Sequence, residues 1–193
     1  MSTTARLARP LISAAAASFC LFGLLAPSAG AAQAGRCPGS LDVPKSQESL
    51  GDAAQAIVCL VNAERTSRGM RALRRDGDLA QTARRHSADM ARRNYFSHVT
   101  PGGDDLGDRL RAAGYGDPGD GWRAGENLGW GTGSRATPAS LVDEWLASDA
   151  HRRNMLKESF REVGVGVAAG APQRDSGLPG ATYTLDLGVI RSG

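Results

Sequence analysis

Thr137 to Leu156, TPASLVDEWLASDAHRRNML, is the stretch whose reading decides the fold. It reads as one amphipathic helix. Thr137 is the expected N-cap, and Pro138 takes the first helical position, where a missing N–H costs nothing. Leu141, Trp145 and Ser148 recur at helical spacing, and His151 and Met155 continue the run. On one continuous helix Glu144, Ser148 and His151, at i, i+4 and i+7, fall on one narrow face. A carboxylate, a hydroxyl and an imidazole beside a Trp suit the wall of a polar pocket better than a plain core. His98 and Glu126, elsewhere in the chain, are the polar residues that would complete it.

Outward from this stretch, the chain of 193 residues has the length of one ordinary domain. At the N-terminus Arg6 and Arg9 precede an apolar run, Pro10 to Pro27, and then SAGAAQA. That order is the pattern of a secretory signal peptide, with cleavage expected after Ala34 or after Ala31. The alternative, a retained membrane anchor, is disfavoured by the shortness of the run. Cys20 follows Phe19, not the small residue a lipoprotein site requires. Removing residues 1–34 lowers the net charge from +3 to about +1. The remaining acids and bases are interspersed. This excludes a dedicated nucleic-acid binder, which concentrates Lys and Arg on one face. Arg71 to Arg75 and the arginines between Arg84 and Arg93 read as solvated surface. No second stretch is long and apolar enough to span a membrane.

Cys37 and Cys59 survive processing. An even pair in an exported chain reads as a disulfide, against free or metal-binding thiols. Residues 35–52 carry Pro38, Gly39 and Pro44 and read as an extended arm. A helix follows from about Ser49 to a C-cap at Gly69, and a second from Asp76–Asp78 to about Asn94. His86 lies on the apolar stripe of the second helix with Leu79, Ala83 and Met90, and reads as a half-buried or buried histidine with one hydrogen-bond partner. His98 follows at a helix-to-loop junction. A short helix from Asp104 to Ala113 comes next. Asp117 to Gly121 reads as a loop, and AGENLGWG (Ala124 to Gly131) as a short glycine-bounded stretch presenting Glu126 and Trp130. Val163 to Ala168, VGVGVA, and Thr182 to Ile190, TYTLDLGVI, are strands, and the glycine face of the first admits a close neighbour. Gly170 to Gly180 reads as the hairpin loop between them. The class is α+β: a small antiparallel sheet with helices packed on it.

The blocks VNAERTSRG, FSHVTPGG, DRLRAAGY, GENLGWG, WLASDAHRRNML, VGVGV and YTLDLG, in that order and spacing, resemble the bacterial branch of the CAP superfamily. This is the SCP-like extracellular domain of cysteine-rich secretory proteins, antigen 5 and plant pathogenesis-related 1 proteins. The resemblance covers about Ala53 to Ile190, and residues 53–190 are the expected domain. It implies an α-β-α sandwich with a three- or four-stranded antiparallel sheet between helical layers. It also implies a cavity lined by a His-Glu-Glu-His set. His98, Glu126 and His151 match three of those positions, and Ser148 stands where animal and plant members carry the second Glu. Glu144 lies one turn earlier on the same expected helix face.

Three chemistries follow from this set. His98, Glu126 and His151 are candidate ligands for a divalent metal, with zinc accepting imidazole and carboxylate in an open three-ligand site, although no cofactor is required by the sequence. Ser97 with His98, or Ser148 with His151, with Glu126 as the orienting acid, are candidates for hydrolysis. No G-x-S-x-G elbow accompanies them. The resemblance implies binding of a lipid, another small molecule or an extracellular partner, with His98, Glu126, Ser148 and His151 as the lining. The expectation carried forward is a secreted binding domain, with a metal- or Ser/His-dependent extracellular hydrolase as the alternative.

Overall fold

The structure is a computed structural model and describes residues 37–116, 119–173 and 177–191. The expected signal peptide lies outside the described residues, as do parts of the two expected loops after Gly116 and Gly170. Among the described residues five helices surround a four-stranded sheet in three layers. Helix α1 is Gln47–Ser67, strand β1 is Arg74–Arg75, and α2 is Gly77–Arg93. Helix α3 is Leu106–Ala113 and β2 is Gly121–Thr132. A 3-10 turn, Gly133–Ala136, leads into α4, Pro138–Ala147, which is followed by α5, Asp149–Met155. Strands β3, Glu162–Ala169, and β4, Gly180–Arg191, follow.

The sheet order is β1-β3-β4-β2. β4 runs antiparallel to both neighbours, as expected, while the two-residue β1 pairs with β3 in parallel, so the sheet is mixed. One face carries Val163, Val165, Tyr183, Leu185 and Leu187, packed with Ile57 and Val61 of α1, Leu141 and Trp145 of α4, and Met155 of α5. The opposite face carries Gly164, Gly166, Thr184 and Asp186 and meets α2. A Cβ on Gly164 would lie 2.1 Å from the backbone of Leu79 and Ala80, and one on Gly166 2.1 Å from that of Ala83. The Val/Gly alternation therefore does what its pattern implies: valines fill the core, and glycines let a helix backbone touch the sheet. Ser87 of α2 locks the contact, its hydroxyl donating to Gly166 O and hydrogen-bonded to the Thr184 hydroxyl.

Several boundaries differ from the sequence reading for local reasons. The stretch 137–156 is two helices, not one. Ser148 has extended backbone (φ −90°, ψ 122°), ending α4 and preceding α5. Ser-Asp before a helical turn is itself a helix-start signal, and Asp149 supplies the acidic first turn. The N-terminal half behaves as expected: Thr137 Oγ1 accepts the Ser140 N–H, with Pro138 at the first helical position. Helix α1 begins at Gln47, because Ser46 is the N-cap and Ser49 its reciprocal partner in a capping box, so residues 47–52 are helical instead of extended. The glycine-bounded Ala124–Gly131 is the body of β2, paired along its whole length with β4.

Cys37 and Cys59 form the expected disulfide, tying the chain ahead of α1 to the middle of that helix. Arg65, buried at the end of α1, donates to the carbonyls of Met155, Lys157 and Phe160 and satisfies the C-terminal end of α5. Among the described residues no helix is long and apolar enough to cross a membrane.

Candidate functional site

Two groups of polar side chains border the edge where β2 meets the helices. The first is built on His98 and Glu126. Asn94 ends α2 in the left-handed conformation (φ 55°) and turns the chain into the loop that carries His98. The His98 side chain is 57% exposed while that of Glu126 is 3% exposed. Nδ1 of His98 lies 2.7 Å from Glu126 Oε1. An ionised carboxylate only accepts, so Nδ1 carries the proton and Nε2 is left as the ring's acceptor, facing outward.

Arg109 of α3 completes this group, although nothing in its block of sequence singles it out. Its Nη2 donates to Glu126 Oε2 at 2.6 Å, and its Nη1 donates to His98 O at 2.8 Å and Asp104 O at 3.2 Å. One guanidinium thus holds both the carboxylate that orients His98 and the backbone of His98 itself. Burial raises the Glu126 carboxyl, but the His98 hydrogen bond and the Arg109 charge outweigh it and hold the group below the usual glutamate range.

Asp186 lies beneath. It is directly opposite Glu126 in the β2–β4 register and fully buried. Burial, and then the charge of Glu126, push its carboxyl well above the usual range. Its two oxygens have no donor among the described residues. Two ionised carboxylates facing each other across the ladder repel, and a proton on Asp186 relieves that repulsion. His86 is buried as expected, with Nε2 2.9 Å from Ser97 O, and burial lowers its pKa. It supports the loop before His98 and does not reach the cleft.

The second group lines a cleft of about 360 Å³. Its walls include Phe96, Leu128, Trp130 and Trp145, together with Glu144, Ser148, His151 and Arg135. The break at Ser148 does not scatter the expected trio, since Glu144, Ser148 and His151 all border this cleft. Side-chain hydrogen bonds pin the helices to β2, among them a bond from Asn154 Nδ2 to Asn127 Oδ1 at 3.1 Å. Trp145 Nε1 donates to Leu128 O at 2.8 Å, Asn127 Nδ2 to His151 O at 3.0 Å, and Asn154 Nδ2 to Glu126 O at 3.2 Å. Burial, and then the neighbouring His98, lower the pKa of His151. Glu144 and Arg135 face each other at 3.4 Å at the exposed rim.

The four expected site residues therefore fall in two neighbouring sets. His98 and Glu126 are in direct contact and border a shallower depression with Leu106 and Trp122. Ser148 and His151 border the cleft lined by Trp130 and Trp145. Among the described residues no three His, Cys, Asp or Glu side chains are grouped to hold a metal ion. Among the described residues His98, Glu126 and His151 are not grouped as a three-ligand divalent site, and the Glu126 carboxylate is already paired with the Arg109 cation. Ser148 and His151 share the cleft wall without a hydrogen bond between their side chains. Ser97 turns its hydroxyl to the Val99 N–H.

The match to the Cysteine-rich secretory protein family, CAP, extends over residues 58–185. The chain belongs to this family. An uncharacterized protein, YkwD, of Bacillus subtilis is 36% identical over 110 residues, covering 57% of this chain and 40% of that one. An uncharacterized membrane protein of the same organism, YlbC, is 35% identical over 111 residues, covering 58% and 30%. The chain thus spans less than half the length of either relative. Among solved structures, an extracellular protein containing a SCP domain from Bacillus anthracis superposes with a TM-score of 0.58 at 30% identity, over 77% of this chain and 45% of that one. An outer surface protein from Borrelia burgdorferi shares the fold at 15% identity, with a TM-score of 0.56 over 70% and 90% of the two chains.

Proposed function

We propose that this chain is a secreted binding domain whose cleft takes a small amphiphilic ligand, with an apolar body and a polar end. The observation that carries the reading is the mixed lining of the cleft. The rings of Phe96, Trp130 and Trp145 and the side chain of Leu128 line it together with Ser148, His151, Glu144 and Arg135. A cleft of about this volume, mostly apolar with a few convergent polar groups, is the usual form of a small-molecule site. Secretion is supported by the signal-type N-terminus, by the Cys37–Cys59 disulfide and by the extracellular SCP-domain neighbour.

One feature favours hydrolysis as a second reading. A buried carboxylate holding the Nδ1–H of His98 leaves Nε2 oriented as a general base would be. Against it, neither the Ser97 nor the Ser148 hydroxyl is hydrogen-bonded to a histidine, so a nucleophile with its base is not assembled among the described residues.

Titration of the oxidised protein with palmitate and with cholesterol, followed by tryptophan emission, tests the binding reading. A saturable change with either probe, lost in Trp130→Ala and weakened in His151→Ala, is the expected result. No saturable change with either probe, or one that both substitutions leave intact, removes it. A casein-hydrolysis assay on the same samples decides the second reading, since activity that disappears in His98→Ala would establish it.

A further inference from the structure

We propose that the Arg109 guanidinium is the permanent cation of the His98–Glu126 site and closes that site to divalent metal ions. A zinc ion bound at the Glu126 carboxylate would lie beside the Arg109 cation. Oε1 accepts from His98 Nδ1 at 2.7 Å, and Oε2 from Arg109 Nη2 at 2.6 Å. Each oxygen keeps a second lone pair, so the barrier to a metal there is the charge already present and not a shortage of acceptors. If Arg109 stayed, two positive centres would share one glutamate with little water to screen them, since the Arg109 side chain is 10% exposed and that of Glu126 is 3% exposed.

Arg109 is also not free to swing away. Its other amino group bridges the carbonyls of His98 and Asp104, so the cation is fastened to the loop that would have to supply the metal ligand. Moving it would break three hydrogen bonds and release that loop. The charge that a metal would bring is therefore already present, supplied by α3 and oriented by backbone. Arg109 does not line the cleft bordered by Trp130 and Trp145, so its effect on metal binding is separate from whatever that cleft takes.

Thermal unfolding and zinc titration of the oxidised protein, in EDTA and in zinc chloride, test this with His98→Ala, Arg109→Gln and Arg109→Lys. Wild type is expected to show no zinc-dependent rise in midpoint that requires His98. Arg109→Gln, which removes the charge but keeps amide donors, is expected to gain zinc affinity by at least about tenfold, like charges this close being worth more than one decade. Arg109→Lys keeps the charge and is expected to bind no better than wild type. Zinc stabilisation of wild type that vanishes in His98→Ala overturns the proposal. So does a gain in both Arg109 variants, which would make hydrogen-bond geometry and not charge the barrier, or a gain in neither. If Arg109→Gln is unfolded in EDTA, folding on addition of zinc counts as the gain, and remaining unfolded counts as its absence.

Discussion

Glu126 and Asp186 stand directly opposite each other on β2 and β4, two buried carboxyls whose charges are felt by the same arginine, Arg109. Their titrations act on stability in opposite directions. Asp186 is raised, so the folded state keeps a proton that the unfolded chain releases above about pH 3.9. Its contribution is full below that value and is lost as pH rises through the raised value. Glu126 is lowered, so its contribution is present above the unfolded glutamate value of about 4.3 and is lost as pH falls through its folded value. Asp186→Asn keeps a donor toward Glu126 and cannot ionise. Melting curves from pH 4 to pH 8 should show wild type losing stability toward the alkaline end relative to the variant. Parallel curves would mean that Asp186 is not protonated in the folded state.

Glu126→Gln should be more costly than its small change in shape implies. It leaves Arg109 buried without its anion and keeps one acceptor oxygen for two donors; with that oxygen on the Arg109 cation, the amide N–H faces His98 Nδ1. Breaking a buried ion pair from one side costs about 3 kcal/mol or more. Urea unfolding at neutral pH measures this, and nitrogen chemical shifts of the His98 ring should report loss of the Nδ1–H tautomer. A variant as stable as wild type would show that Arg109 finds an equivalent partner.

The glycines of β3 give a second contrast. Gly166→Ala places a methyl group 2.1 Å from the α2 backbone, where no side chain can rotate away. The expected loss is about 3 kcal/mol, at the upper end of overpacking costs. Gly51→Ala, in α1 with nothing within 4 Å, should gain about 0.5–1 kcal/mol from helix propensity. Denaturant midpoints of the two variants should move in opposite directions, and a shift in the same direction would refute the close-approach account.

Removing the disulfide as the Cys37→Ala, Cys59→Ala pair frees a loop with a separation of 22 residues. Chain-entropy bookkeeping puts the loss at about 3 kcal/mol. The same loss on reduction of wild type, followed by urea unfolding, would confirm the origin. No difference between oxidised and reduced protein would place the arm outside the cooperative unit.

The layered fold was legible because its signals are periodic. Thr137-Pro138, the α1 and α2 stripes and the Val/Gly alternation each act through neighbours close in sequence. The break at Ser148 was also written locally, as Ser-Asp, but the apolar spacing of Leu141, Trp145 and Met155 continues across it and masks it. β2 was read as a glycine-bounded stretch because its strand character comes from pairing with β4, about 60 residues away in register, not from β-branched residues. Ser148 and His151 were legible from helical spacing, His98 from its helix-to-loop junction and Glu126 from its glycine-bounded stretch, and the resemblance tied three of them, His98, Glu126 and His151, to one set. Arg109 and Asp186 were not legible, because an arginine on a short helix and an acid within a strand acquire their roles only when the sheet and α3 are brought together. The acid at position 186 did carry one signal: an ionisable residue between two core leucines, Leu185 and Leu187, in a strand buried on both faces.

Gly164 and Gly166 contribute no atom to either polar group, yet they set the distance between α2 and the sheet. The C-terminal end of α2 runs straight into the loop that carries His98, and Glu126 sits on the sheet. The span that His98 must cover to reach Glu126 is thus gauged two strands away, by the absence of two methyl groups. The working dimension of the site is a spacer setting, and residues that never meet a ligand hold its calibration.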